Sequence, residues 1–574
     1  MRKSISFKVI PVCYQDAKGY DEAETDFLLE VDNWDDFHYK TTYHLHASKK
    51  LTSGKTLYLG SINIMRIGQQ EGESDLLRRI FHETANIFTE LPDDFISVSF
   101  SQELYQGVSK LLQTSEERKM FVDHLRLIMG TDSALYEKVK DDKCFNTSIL
   151  RDSTMDSFAL KKGKQYLFEN GLFYDLEKQT ITVKYVKSAG PITFDFKGPQ
   201  ELERIKDIPS GVIAFIGHNG CGKSTLLYQL VRLLYATPAE RYRMKDSITV
   251  APNDVGISKL LMFAYSAFDN FLLPGVTVAS YRLMAEGVDS RTGRFVYCGV
   301  RDVKKEIDDI VNKQIEKNKE NEKDTDNNTV IADKSRMVHI VLKPIERLAG
   351  EFKDALDIIN GTGSKRQIWN DMMERCKELI PALYQDISQF NQVFVVSEDC
   401  AKNYMKLSTG VKFFLHTMSH IHAYTEDNSM LLFDEPENHL HPPMLSFMMS
   451  EIRRAIRETH SVMLIATHSP VILQEMFAKN VYVVSRVGDH ITFNHPETET
   501  YGENFGYINN LVFRLNSDIS RFHTVFDGLY QEWECAKLDN FEKVIEVFKY
   551  KLECEELSSQ MVAYLASLYY ENKN

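Results

Sequence analysis

One short run constrains this chain of 574 residues more than any other: Gly217-His218-Asn219-Gly220-Cys221-Gly222-Lys223-Ser224, followed by Thr225. It fits G-x-x-x-x-G-K-[S/T], and its flanks are those the pattern requires. The apolar strand Val212–Ile216 precedes it and the helical run TLLYQLVRLLY follows. Such glycines let backbone N–H groups converge on phosphate oxygens, and the helix N-terminus adds a favourable dipole. Gly217, Asn219, Gly220, Cys221, Gly222, Lys223, Ser224 and Thr225 are therefore expected to cradle a nucleoside triphosphate. Lys223 should reach the β- and γ-phosphates, and Ser224 should ligate Mg²⁺. The loop does not say what the nucleotide drives.

Two further strand ends carry chemistry. Met430-Leu431-Leu432-Phe433 is an apolar strand that ends in Asp434 and Glu435. Buried parallel strands deliver polar residues at their C-terminal ends, where ligands of open α/β sheets bind. Asp434 can hold Mg²⁺ through a water, and Glu435 can act as general base on the attacking water. Later, the strand SVMLIAT delivers His468, followed by Ser469-Pro470. A histidine there can bond a γ-phosphate oxygen and sense its loss.

Upstream of the carboxylates, Leu407-Ser408-Thr409-Gly410-Val411-Lys412 opens the helical run Val411–His422. Alone, Ser-Thr-Gly is an ordinary helix start. Its order between the phosphate loop and the carboxylates gives it weight, because LSxG, DE and ATHSP in this order resemble the ABC-type ATPases. The string DEPENHLHPP is similar to their non-transporter branch, which includes RecF-like, SMC-like and OLD-family ATPases. The segments KTTYHLH, LPDDFISVSF, TSILRD and TYGENFGYINNLVF resemble bacterial stand-alone ATPases of this branch, among them Septu-type and retron-associated antiphage ATPases. The motif resemblance spans about residues 180–515.

The resemblance implies an α/β fold: an ABC-type P-loop ATPase core with a β-rich N-terminal segment and a helical inserted lobe. It implies ATP and Mg²⁺ as cofactors, with Glu435, His468 and Lys223 catalytic and Ser224 and Asp434 on the metal. It implies that Ser408, Gly410 and Lys412 complete the site of a second subunit, giving a homodimer or a larger even-numbered oligomer. The antiphage relatives imply a separate effector, a nuclease or toxin, under regulation by this ATPase. A DNA-repair or chromosome-associated ATPase and a scaffold that holds ATP with little turnover are the alternatives.

Departures accompany the match. The long stretch between Ser224 and Ser408 implies a lobe inserted near 276–400. The glutamine that in this family follows the phosphate loop is not identifiable; Ser266 or Asp269, in Phe263–Asp269, could replace it. Boundaries are expected at 1–175 (β-rich, then helical), 176–275 (first core part), 276–400 (insert), 401–515 (second core part) and 516–574 (helical tail). Residues 75–92 and 102–130 have helical spacing. Val303, Ile307, Ile310 and Val311 mark an amphipathic helix at the start of a charge-rich stretch, which reads as a solvated surface helix and linker.

Composition excludes several classes. With 68 Lys and Arg against 82 Asp and Glu, the formal net charge is −14, so any DNA or RNA contact is a local patch. Basic residues gather in 334–353 and at Lys365 and Arg366, where a solvated helix face is the expected reading. No run approaches the apolar length of a membrane helix, and no signal peptide is evident, so a cytoplasmic location is expected. The 8 cysteines are scattered without a C-x-x-C pair, which reads as reduced thiols. The tail after His468 holds no D-x-D pair of a Toprim nuclease and no HNH set. His44 and His46 would share one strand face, expected to be exposed.

Overall fold

The computed structural model describes residues 4–11, 25–32, 38–52, 56–150, 155, 157–168, 176, 179–198, 209–236, 238–252, 255–266, 272–275, 277–278, 280–282, 284–285, 294–320, 340–390, 399–506, 508 and 521–571. The chain forms two compact units, Met1–Tyr501 and Gly502–Asn574.

The N-terminal part of the larger unit forms a sheet from β1 (Phe7–Ile10), β2 (Phe27–Val31), β3 (Thr42–Ala47), β4 (Leu57–Arg66), β5 (Ile87–Phe88) and β6 (Phe95–Val98), in the order β5-β1-β2-β3-β4-β6. The stretch 75–92 is helical only over Leu76–Ile80, with a 3₁₀ turn at His82–Thr84. Ala85 and Asn86 then take positive φ, 55° and 62°, which breaks the helix. The chain turns out to add β5 to the sheet edge, where Phe88 stacks on Phe7 at 5.3 Å and on Phe81 at 4.5 Å. Aromatic burial on the sheet overrides the helical spacing.

His44 and His46 do share a face of β3, but that face is buried: they are 4% and 9% exposed. Each meets a carboxylate, His46 at 2.8 Å from Glu30 of β2 and His44 at 3.1 Å from Asp32 just after that strand. These pairs account for polar residues inside a sheet that would otherwise exclude them.

A small antiparallel sheet follows, β10-β7-β8, from β7 (Thr180–Tyr185), β8 (Ile192–Asp195) and β10 (Ile248–Ala251). The core sheet takes β9 (Val212–Ile216), β11 (Lys259–Ala264), β12 (Phe295–Gly299), β13 (Ser429–Asp434), β14 (Val462–Thr467), β15 (Val481–Val487) and β16 (His490–Asn494), in the order β12-β11-β13-β14-β9-β15-β16. All pairings are parallel except β15 with β16. Strands β9, β11, β13 and β14 are buried along their whole length. Their near-continuous apolar runs follow from helices covering both faces. The fold is therefore α/β, with a mainly parallel core sheet.

Between β11 and β13 the described residues form mainly helices, Val303–Glu320, Ile345–Gly361, Gly363–Leu379, Pro381–Ile387, Asp399–Lys406 and Thr409–Tyr424, together with the edge strand β12. The charge-rich helix Val303–Glu320 is not wholly solvated: Val303, Ile307 and Ile310 enter the main core, and Glu306 pairs with Arg301 at 2.5 Å beneath the surface. Lys343 and Arg347 are likewise engaged internally, with Glu351 and Asp302, and Lys365 donates to the Ala423 carbonyl; residues 334–339 lie outside the described residues.

The second unit, taken by itself, holds the helices Arg521–Glu532, Phe541–Lys551 and Ser559–Glu571 around Tyr530, Val544, Phe548, Leu565 and Tyr569. Among the described residues no helix is long and apolar enough to cross a membrane, and no disulfide links the cysteines.

Candidate nucleotide site

The phosphate loop joins β9 to the helix Lys223–Tyr235, which presses Leu226, Leu227, Leu230 and Leu234 into the core. Glycine is demanded at two of its positions by space. A Cβ at Gly217 would stand 2.2 Å from the Val484 carbonyl oxygen of β15. Gly222, the residue before the helix, has φ 108°, and a Cβ there would meet Ile491 at 2.8 Å.

Strand order then converges the chemistry. β14 lies between β9 and β13, so the C-terminal ends of these three strands deliver the loop, the carboxylates and His468 to one sheet edge. The structure brings Lys223, Ser224, Asp434, Glu435 and His468 together there. Lys223 is 4% exposed. Its Nζ donates to the carbonyls of Gly217 at 2.9 Å and His218 at 3.2 Å, and lies 2.9 Å from Nε2 of His468. Burial pulls the Lys223 ammonium below its ordinary range, while Cys221, Glu435 and Asp434 oppose that shift. Burial, then the charge of Lys223, lowers His468 as well. A neutral imidazole that accepts from the ammonium through Nε2 satisfies both. Glu435 Oε1 stands 3.6 Å from that same nitrogen.

Asp434 is gripped at both oxygens. Ser224 Oγ donates to Oδ1 at 2.8 Å, and the phenol of Tyr228 donates to Oδ2. Burial raises the Asp434 carboxyl above its usual range, against the pull of those two donors. Because the Ser224 hydrogen goes to Asp434, the Oγ lone pairs are left for a cation. The donor set of a hydroxyl and a carboxylate fits Mg²⁺, a hard ion that prefers oxygen.

The segment after β13 fixes what the strand ends carry. Glu435 adopts φ 51°, sparsely populated for a residue with a Cβ, and its N–H donates to Ala466 of β14 at 2.8 Å. Asn438 Nδ2 donates to Glu435 Oε2 at 2.9 Å. Glu437 accepts through Oε1 from Thr467 Oγ1 at 2.9 Å and from the His468 N–H at 2.5 Å. Tyr228, Asn438 and Glu437 were not foreseen as site residues. Their signals were short spacings, Ser224 to Tyr228 one helical turn apart and Glu435 to Asn438 three residues apart.

Ser408, Gly410 and Lys412 stand elsewhere. Ser408 caps the helix Thr409–Tyr424, its Oγ accepting from the Val411 N–H at 3.4 Å. Ser408 is exposed, and Gly410 and Lys412 are half-buried. Among the described residues no hydrogen bond or ion pair links these three to the phosphate loop. A Cβ at Gly410 would stand 2.5 Å from the His439 carbonyl oxygen, so glycine is needed there by the chain's own packing. Ser266 is half-buried beyond β11, and Asp269 lies outside the described residues.

Comparisons with known proteins bear on the ATPase core. Residues 291–473 match the family model of an AAA ATPase domain. That span takes in β12, β13, β14, the Ser408 helix, the carboxylates and His468, and leaves out the phosphate loop. Protein ea59 of Escherichia phage lambda is 25% identical over 522 residues, covering 86% of this chain and 87% of its own length. Among solved structures, an ABC transporter assigned to the metal-chelate type, in an inward-facing conformation, is 14% identical over 55% of this chain and 82% of that one, with a TM-score of 0.23. An SMC head bound to the C-terminal winged-helix domain of ScpA is 11% identical over 55% and 96%, also at 0.23. Superpositions this loose carry no argument. The strand order, the phosphate loop and the matched ATPase domain make this a chain with a P-loop ATPase core.

Proposed function

We propose that the chain binds and hydrolyses Mg·ATP at an interface of two copies, and that the cycle regulates a separate effector in bacterial antiphage defence. The convergence of Lys223, Ser224, Asp434, Glu435 and His468 at one sheet edge carries the catalytic part. The exposed Ser408 helix start, which among the described residues makes no hydrogen bond or ion pair to its own phosphate loop, supports completion of the site by a second copy. Likeness to a phage-encoded protein along most of both chains supports a setting where phage and bacterium meet.

Mg²⁺ held by Ser224, with Asp434 behind a water, would neutralise charge on the β- and γ-phosphates. The chain's own residues do the rest. Lys223 exchanges the carbonyls of Gly217 and His218 for phosphate oxygens, and that exchange frees Nε2 of His468. Asn438 holds Glu435 for proton abstraction from water, and Glu437 anchors the His468 backbone. Catalysis is then positioning and electrostatic stabilisation by groups fixed in advance.

The test is phosphate release by wild type and Glu435→Gln, with absolute mass by light scattering with and without Mg·ATP. Turnover by the wild type, with an inert variant accumulating as an ATP-bound dimer or larger even-numbered assembly, is the expected result. Mass that ignores nucleotide refutes the two-copy site. Equal turnover in both proteins removes Glu435 as the base. Several-fold stimulation by DNA ends would move the biological setting to DNA repair. Ser408 is the better probe of the interface than Gly410, whose substitution also collides with His439 of its own chain.

A further inference from the structure

The helix that starts at the exposed signature carries a second constellation further along. His416 and His420 are four residues apart, so they share one helix face, and their rings stack with centroids 4.0 Å apart. Both are buried, 1% and 3% exposed. Opposite them stands Glu351, from the inserted helix Ile345–Gly361. One ligand atom from each of the three residues lies within 4.8 Å of the other two.

The spacing is long for a hydrogen-bonded pair and close to that of two ligands on one ion. Nε2 of His416 is 3.5 Å from Oε2 of Glu351, beyond the ordinary N–H···O range of about 2.7–3.2 Å. Two ligands at about 2.0–2.1 Å from one tetrahedral Zn²⁺ stand about 3.3 Å apart. The far side of the His420 ring is fixed as a metal-bound histidine requires. Nδ1 of His420 lies 2.7 Å from the His416 carbonyl oxygen. A carbonyl can only accept, so that Nδ1 carries the hydrogen and Nε2 keeps the lone pair. Nδ1 of His416 lies 2.8 Å from the Tyr265 hydroxyl, which in turn accepts from Thr417 Oγ1 at 3.1 Å. Such outer partners set tautomer and ring orientation.

A small cavity lined by Phe295, Tyr297, Val303 and Tyr424 adjoins Glu351 and His420, leaving room for a further ligand such as water. Lys343 Nζ is 2.9 Å from Glu351 Oε2, and Arg347 Nε is 3.8 Å from Oε1. These cations pair with the carboxylate, but they also repel a dication, which makes Lys343 a lever on affinity.

We propose that Glu351, His416 and His420 bind one divalent transition-metal ion of the zinc class, pinning the inserted helix to the signature helix. Imidazole donors select such ions over Mg²⁺, so the site is chemically distinct from the nucleotide site. It does not depend on the ATPase reading.

The test uses the full chain, stripped with chelator and titrated with Zn²⁺ or Co²⁺ in excess Mg²⁺. Expected are one Zn²⁺ retained per chain through this site and visible Co²⁺ ligand-field absorption. Both should weaken at least tenfold in His420→Gln, and Tyr265→Phe should lose about tenfold as an outer partner. Lys343→Met should bind more tightly. Zinc should raise the melting temperature of the wild type and leave that of His420→Gln unchanged. Equal metal binding by wild type and a His420→Gln variant that melts normally without metal overturns the proposal. If that variant does not fold, Tyr265→Phe decides: an unchanged affinity and cobalt spectrum overturn it.

Discussion

Removing a single oxygen atom, in Tyr228→Phe, isolates what holds Asp434. The phenol donates to Oδ2 while Ser224 donates to Oδ1 at 2.8 Å, so the variant strips one carboxylate oxygen and leaves the other bonded. Asp434 is 6% exposed, so a lost donor is not readily replaced by solvent. A hydrogen bond to a charged group contributes about 1.5–3 kcal/mol. Ionisation of Asp434 therefore becomes roughly tenfold to hundredfold less favourable, and Mg·ATP binding, as proposed, needs the ionised form. The direction with pH follows from the same bond. Burial already raises the Asp434 carboxyl, and Tyr228 opposes that rise. Without the phenol the carboxyl is raised further, so protonation silences the site at a higher pH than in the wild type. Phosphate release measured against free Mg²⁺ at several pH values should show a half-saturating Mg²⁺ concentration at least tenfold higher. The acid limb of the profile should move toward neutrality. The aromatic ring remains in place, and melting without nucleotide provides the control. A normally melting variant with an unchanged Mg²⁺ dependence and an unmoved acid limb would refute the reasoning.

Three other outcomes follow from single contacts. Gly217→Ala places a methyl 2.2 Å from the Val484 carbonyl oxygen, which belongs to backbone and cannot swing away; calorimetry with a non-hydrolysable ATP analogue should show affinity down more than tenfold. Glu437→Ala releases the His468 N–H and Thr467 hydroxyl, so kcat should fall at least tenfold, whereas Glu437→Gln keeps an acceptor and most of the rate. Burial, aided by Arg375 and Lys365, holds His422 at about 4 against an ordinary 6.5. Below 6.5 the unfolded chain takes up a proton that the folded chain refuses, so this stabilisation is complete above 6.5 and declines as pH falls toward 4. The window is worth on the order of 3 kcal/mol, and urea unfolding at successive pH values should show a flatter acid slope for His422→Gln.

Much of the site was legible because its residues sit at the ends of apolar strands beside glycine-rich or proline-marked turns. Gly217–Thr225, Asp434, Glu435 and His468 need only a strand, a turn and a parallel neighbour to be placed, and those features are local. What holds these residues was less legible. Tyr228 reaches Asp434 because one helix turn returns it to the face of Ser224, and that turn faces β13 only once β14 has spaced the strands. The carboxylate partners of His44 and His46 lie on the neighbouring strand β2 and just after it, so an alternating pattern alone suggests solvent where a buried polar layer stands. In 75–92, helical spacing lost to an edge strand because Phe88 gains two ring contacts there. Glu351 meets His416 and His420 across a long sequence separation, although the H-x-x-x-H spacing itself lies open in the sequence.

The segment after β13 joins the strand ends to the signature helix within a few residues. Asn438 holds Glu435, Glu437 holds His468, and the His439 carbonyl lies where a side chain on Gly410 would have to be. His439 itself has φ 70°, and Glu435 φ 51°, so the segment carries backbone strain at two of its side chains. A ligand that draws Lys223 away from His468 changes the bonding of a histidine whose backbone is tied to Glu437. The next rigid contact along that segment is the start of the Ser408 helix. The surface through which a second copy would sense nucleotide is thus mechanically continuous, in this chain, with the groups that would hydrolyse it. Tight packing at Gly410 gives that connection little slack, because a displaced His439 carbonyl must either lose the contact or carry the helix with it.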